Sequence, residues 1–236
     1  MINLLYNKKI NIIKGVNNMK NEITTEKEAI EIVKNRGFQL QKIPKALKTS
    51  KVCFVAVKSH GAAIEYVPEK LKTAEICLAA VKEKNFGNAL EYIPEQLKTI
   101  EFCLLAIKKD GLNMQFVPKK LITPEFCLQA VKLGGEALKF IPLKFKTPEI
   151  YFAAQKSNPY CFRDIPDEYK TYKMCLKAVS YSGGLLSNVP EKYIDNKLCL
   201  IALKKSPDEL ATVPENMLTE EMILISGSFP LFRKTC

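Results

Sequence analysis

Eight cysteines offer the first chemistry to weigh, because a thiolate can ligate zinc, pair in a disulfide or attack an electrophile. Six of them, Cys53, Cys77, Cys103, Cys127, Cys175 and Cys199, recur at multiples of 24 residues with one shift of two. That register argues against all three uses. No Cys-x-x-Cys occurs, and a zinc site needs ligands that converge as a tetrahedron. Equivalent positions on stacked helices lie about 8–10 Å apart, beyond the roughly 7 Å between Cα atoms that a disulfide spans. The expectation is a small apolar residue buried at a tight helix contact. Cys161 and Cys236 fall outside the register and are expected to be the exposed thiols.

His60 is the only histidine, so neither a Ser-His-Asp triad nor a histidine-rich metal site can be assembled. It precedes Gly61 at a helix end, where a positional role facing the helix dipole is expected. There is no Walker sequence and no GxGxxG, and the glycines are spread too evenly for a phosphate loop. Without a nucleophile, a base and oxyanion donors in one place, the reading is of a protein that is not an enzyme. No catalytic residue, metal or cofactor is expected.

Lysine is the one abundant reactive type, and the net charge is +11. Such a charge favours acidic proteins, nucleic acid or an anionic membrane as neighbours without choosing among them. Two rows recur. Lys34, Lys58, Lys82, Lys108, Lys132, Lys156 and Lys204 stand where helices end, which the helix dipole alone explains. Lys48, Lys72, Lys98, Lys146 and Lys170 precede a recurring threonine or its equivalent. Together, Lys48, Lys72, Lys98, Lys146 and Lys170 with Lys58, Lys82, Lys108 and Lys132 could track a phosphate backbone. Tyr66, Tyr92, Phe116 and Phe140 share one slot in four successive units, either as a core stripe or as a stacking surface.

The elements that position these residues follow from the prolines. Pro44, Pro68, Pro94, Pro118, Pro142, Pro166, Pro190 and Pro214 are 24 residues apart, save one interval of 26 whose extra residues fall in 83–86. The fifth residue after each is Thr49, Thr73, Thr99, Thr123, Thr147, Thr171, Asp195 or Thr219, all good helix N-caps. Two residues later come Glu75, Glu101, Glu125, Glu149 and Glu221, which suit the positive end of a helix dipole. After the helix stands Gly37, Gly61, Gly87, Gly111, Gly135 or Gly183, with Pro159 and Pro207 in the other two units. Glycine suits a left-handed helix end and proline cannot continue a helix. A second, shorter helix then runs to the repeat proline. A leucine-rich repeat shares the period, but it needs an Asn or Cys ladder after an alternating strand, and the turns here read KKDG, KSHG and KLGG.

The segments ALEYIPEQLKTIEFCLLAIKKDG, LKTAEICLAAVKEKN and LITPEFCLQAVKLGG resemble the repeats of domain-of-unknown-function family 4116. The resemblance covers residues 24–227 and implies a fold without an activity. The predicted architecture is an all-α solenoid of about eight to nine 24-residue helix–turn–short-helix repeats over 24–227. Residues 1–23 form a basic N-terminal arm or cap, possessing Lys8, Lys9, Lys14 and Lys20, or lie partly upstream of a true start at Met19. Residues 228–236 form a C-terminal cap.

Counted from the repeat proline, positions 8, 9, 10, 12 and 13 are nearly always apolar and expected to be buried. Positions 7, 11 and 14 form one stripe. Position 7 is usually Glu and position 14 usually Lys, but position 11 reads Val55, Ala79, Leu105, Gln129, Ala153, Lys177 and Ile201, so it is the candidate partner-binding row. The leading function is a scaffold for protein–protein interaction with an acidic partner. The alternative is binding of RNA or a ribonucleoprotein, as in a phage or bacterial regulator or an inhibitor of a nucleic-acid-guided defence system. No run of about 18 apolar residues could cross a membrane, and a cytoplasmic location is expected.

Overall fold

The computed structural model describes residues 23–83 and 87–227. Among these residues the chain is helical and contains no strand. The described residues contain nine α-helices: α1 Glu26–Asn35, α2 Ser50–Ser59, α3 Ala74–Lys82, α4 Ile100–Lys109, α5 Pro124–Leu133, α6 Pro148–Ser157, α7 Tyr172–Tyr181, α8 Asn196–Lys205 and α9 Glu220–Ile225. The expected all-α solenoid repeat is present eight times over, and α9 begins a ninth copy.

Each α-helix starts at its threonine or aspartate because that side chain accepts the N–H of the third residue of the helix. Val52 N–H donates to Thr49 Oγ1 at 3.3 Å, Phe126 N–H to Thr123 Oγ1 at 3.2 Å and Leu198 N–H to Asp195 Oδ1 at 2.8 Å. Thr25 and Glu28 close a reciprocal capping box on α1. The shorter second helix is a 3-10 helix, as at Gly61–Tyr66 and Gly135–Phe140. Another 3-10 turn, such as Glu69–Leu71, follows the repeat proline. Both are too short to profit from α-geometry, and the tighter bonding pattern closes in the space left before the next cap.

The chain divides into two units, one ending at Pro94 and the other beginning at Glu95. The first contains α1 to α3 and the second α4 to α9. Within each unit the α-helices form one layer and the 3-10 helices the other, with the core between them. Positions 8, 9, 12 and 13 of the α-helices supply Ile76, Cys77, Ala80 and Val81 in one unit and Phe126, Cys127, Ala130 and Val131 in the other. The 3-10 layer answers with Ala63 and Ile64, Ala137 and Leu138, and Leu185 and Leu186. Burial of each Leu, Ile or Val contributes about 1.5–3 kcal/mol, so the stack is held mainly by these paired layers.

Two expectations are corrected. Left-handed geometry accounts for Gly87 alone of the recurring glycines, since among the described glycines only Gly87 and Gly227 have positive φ. For Gly37, Gly135 and Gly183 the cause is a close approach. A Cβ on Gly37 would stand 2.3 Å from the Ala56 carbonyl oxygen, one on Gly135 2.7 Å from that of Ala154, and one on Gly183 2.3 Å from that of Ala202. Each glycine makes room for the helix of the next repeat. The second correction concerns Cys161, which is 2% exposed. It occupies the 3-10 slot of Ala63 and Ala137 and belongs to the core. Cys236, Met19, the basic segment 1–22 and the terminal residues 228–236 lie outside the described residues, as do residues 84–86 of the longer repeat.

Candidate functional site

The lysines that precede the N-caps are turned inward. Lys48 Nζ donates to the Tyr66 carbonyl at 3.2 Å and Lys98 Nζ to the Phe116 carbonyl at 3.1 Å. Lys170 is 5% exposed, donates to the Asn188 carbonyl at 2.7 Å and to Asp167 at 2.8 Å, and lies 4.8 Å from the centre of the Phe162 ring. Lys72 pairs with Glu69 at 2.9 Å, and Lys146 is half-buried. Where the bond forms, the ammonium satisfies a carbonyl at the end of the next repeat's 3-10 helix, which would otherwise lack a partner. These lysines therefore fasten one repeat to the next and are poorly placed to meet a phosphate chain. Lys170→Met is expected to cost about 1.5–3 kcal/mol, the range for a hydrogen bond to a charged group, whereas Lys132→Met on the surface should stay within about 0.5 kcal/mol. Thermal melts of the two variants check this, and equal melting would show the fastening to be idle.

The second row behaves differently. Lys58, Lys82, Lys108 and Lys132 are exposed at the ends of α2 to α5, as are Lys34, Lys156 and Lys204. Seven residues earlier on four of these helices stand the exposed carboxylates Glu75, Glu101, Glu125 and Glu149. First-turn N–H groups and the cap threonine hold the carboxyls of Glu101 and Glu125 below the usual range. Seven residues span about 10 Å of helix, so an acidic row and a basic row run across the helix layer with two turns between them.

What lies between the rows differs from the sequence-based expectation. Position 10, apolar in every repeat, is not core: Leu78 is 36%, Phe152 45% and Leu224 60% exposed, and Phe54, Leu104, Leu128, Leu176 and Leu200 are half-buried. The buried positions 8, 12, 9 and 13 span about 140° of the helix, and position 10 falls at 200° on the same scale, beyond the edge of that arc. At the candidate position 11, Val55, Ala79, Leu105 and Ile201 are half-buried and Gln129 and Lys177 exposed. Ala153 is buried, which removes it from the exposed row. It forms the floor of a shallow cleft of about 420 Å3 with Phe152, Lys132, Glu149 and Lys156 around it. Position 10, joined at position 11 by Val55, Ala79, Leu105, Ala153 and Ile201, thus forms an apolar band at mid-height on α2 and α3 in one unit and on α4 to α9 in the other, interrupted at position 11 by Gln129 and Lys177.

The described cysteines and His60 are held within the packing of the repeats. Burial pushes the thiols of Cys53, Cys77, Cys103, Cys127 and Cys175 up to about 11 and that of Cys161 to about 12, away from nucleophilic use near neutral pH. His60 Nδ1 accepts the Gly37 N–H at 3.3 Å, and its ring lies 5.1 Å from that of Phe38. It joins α2 to the preceding repeat, a task that Asn158 performs toward Glu136 farther along. Tyr66, Tyr92 and Phe116 are half-buried and Phe140 exposed, so this aromatic slot is neither sealed core nor an open row of rings.

No cluster of metal-ligating residues occurs among the described residues. No described helix is long and apolar enough to cross a membrane. Neither a search of curated proteins nor one of solved structures returns a match. A family model described as Domain of unknown function (DUF4116) matches residues 51–98, 74–122 and 123–170, each match covering two successive α-helices. With these tandem matches over half of its length, the chain belongs to the DUF4116 family.

Proposed function

We propose that the protein is a non-enzymatic scaffold that binds a protein partner on the outward face of its α-helices. One observation carries the reading: an apolar band at position 10, widened at position 11 on most helices, repeats from helix to helix, and on α3 to α6 it lies between an acidic and a basic residue. The Phe152 to Ala153 cleft lies on that band. Apolar side chains left in solvent at regular intervals mark interaction surfaces, and a repeat array offers such a surface at fixed spacing. A phosphate backbone would have no use for the leucines, and the inward turn of Lys48, Lys98 and Lys170 leaves one basic row where the RNA reading asked for two.

The test is affinity capture from native lysate with and without ribonuclease, using the full chain and two variants. Leu105→Glu and Ile201→Glu should reduce capture at least about tenfold, as loss of an interface anchor does, while the circular dichroism spectrum and melting temperature stay nearly unchanged. Capture that vanishes on ribonuclease treatment would replace the reading with RNA binding. Capture undiminished in both variants would move the partner off this face.

A further inference from the structure

Helices α7 and α8 break the charge rule that the other helices of their unit follow. Position 7 is Glu on α4, α5, α6 and α9, but Lys173 on α7 and Lys197 on α8. Position 11 of α7 is Lys177, and α8 ends in Lys204 and Lys205. Neither helix, YKMCLKAVSY or NKLCLIALKK, contains an acidic residue. All five lysines are exposed, and of these only Lys204 makes an ion pair among the described residues, at 3.7 Å to Glu221. A cation in the first turn opposes the helix dipole. The fold gains nothing visible in return, and a broken local rule without structural compensation marks a place shaped by something else. Between the lysines lie the half-buried Leu176, Leu200 and Ile201. The nearby carboxylates do not cancel the patch: Asp167 is bound to Lys170, and Asp195 caps α8 and accepts the Tyr172 hydroxyl at 2.9 Å. Glu168 and Glu191 lie exposed on the turns before the two helices.

Building on the scaffold reading, we infer that the outward face of α7 and α8 docks an acidic amphipathic segment of a protein partner, with apolar anchors on Leu176, Leu200 and Ile201 and carboxylates on Lys173, Lys177 and Lys197. Charge complementarity selects this occupant. A second copy would bring the same lysines face to face on a chain that already carries +11. Nucleic acid would meet aliphatic side chains between the lysines where stacking needs rings.

The probe is a fluorophore-labelled synthetic peptide with Glu and Leu at helical spacing, titrated with the full chain by anisotropy. A copy with Gln in place of Glu, a single-stranded oligouridine and vesicles of phosphatidylcholine with phosphatidylserine are run beside it. The acidic peptide should bind, weaken with salt, and lose about tenfold in affinity, which is 1.4 kcal/mol, to the double variant Lys173→Glu and Lys197→Glu, because two exposed ion pairs are lost together. Lys108→Glu with Lys132→Glu should change binding less than about twofold, since those lysines lie on other helices. Glutamate in a first turn suits the dipole, so the Lys173 and Lys197 variant should melt no lower than the parent. Equal binding of the acidic and Gln peptides, or an unaffected double variant, overturns the assignment. So does tighter binding of oligouridine or vesicles that the same substitutions abolish. If Leu105→Glu still abolishes ribonuclease-resistant capture while the acidic peptide fails to bind, the scaffold reading stands and only this assignment falls.

Discussion

Gly183→Ala is expected to lower stability by about 2–4 kcal/mol, at or above the usual range for overpacking a filled interior. The added methyl group would stand 2.3 Å from the Ala202 carbonyl oxygen and 2.8 Å from Ser206 Cβ. Backbone cannot yield as a side chain does, so α8 would have to slide away from the 3-10 helix beneath it. The adjacent glycine supplies the control. A methyl group on Gly184 meets only the end of the Glu209 side chain, at 2.9 Å, and the same slot holds Leu112, Glu136 and Tyr160 in other repeats. Gly184→Ala should therefore be neutral or stabilising by about 0.4–1 kcal/mol, through the reduced freedom of the unfolded chain. Urea melts of both variants decide it, and equal midpoints would remove close approach as the reason for the glycine.

Stability should also fall steeply on the alkaline side, between pH 9 and 11. The ordinary thiol value is 9.0, and burial raises that of Cys103 and Cys127 to about 11. A group whose pKa is raised on folding keeps its proton longer in the native state. Below pH 9 both states are protonated and the full contribution is present. From pH 9 upward the unfolded chain ionises first, and each such thiol withdraws up to about 1.4 kcal/mol per pH unit until the folded value is reached. Lysines and tyrosines titrate in the same window, so the informative quantity is a difference. A Cys103→Ala and Cys127→Ala double variant should lose stability with a shallower slope over this range than the parent. Parallel slopes would mean that these thiols ionise as readily folded as unfolded. At neutral pH the seven described cysteines, Cys161 included, should react with a disulfide reagent only after unfolding.

The parts of the fold legible in the sequence are those set within a few residues. Thr99 caps α4 because its side chain reaches Phe102 N–H three residues on, and such a bond needs no knowledge of the rest of the chain. The proline period gave the number of repeats for the same reason. What escaped depends on a neighbour about one repeat away. Lys48 reads as a surface lysine until the Tyr66 carbonyl is placed above it, and Gly37 reads as a helix stop until Ala56 is. Cys161 seems out of register because it belongs to the 3-10 layer, whose core slots are separate from those of the α-helices. The leucines of position 10 were hidden by composition, since Leu104 and Leu128 resemble core residues in every respect except angle. Plotting the repeat on a helical wheel separates them from Cys103 and Cys127. Lys173 and Lys197 were visible as departures from the Glu rule, but their significance needed the exposed leucines beside them.

Among the described residues, the side-chain bonds between repeats that fasten the stack are short in sequence. Lys48 to Tyr66 spans 18 residues, Gln155 to Met174 spans 19, and His60 to Gly37 spans 23. Contacts of this kind average about a tenth of the chain length or less, the range in which helical proteins fold in microseconds to milliseconds. A ribosome adding about 5–20 residues per second needs roughly one to five seconds to deliver one 24-residue repeat. Within each unit, a repeat therefore has time to settle on the one before it while the next is still being made. The layer of apolar side chains that each helix presents to its successor stays open to water only for about as long as it takes to synthesise that successor.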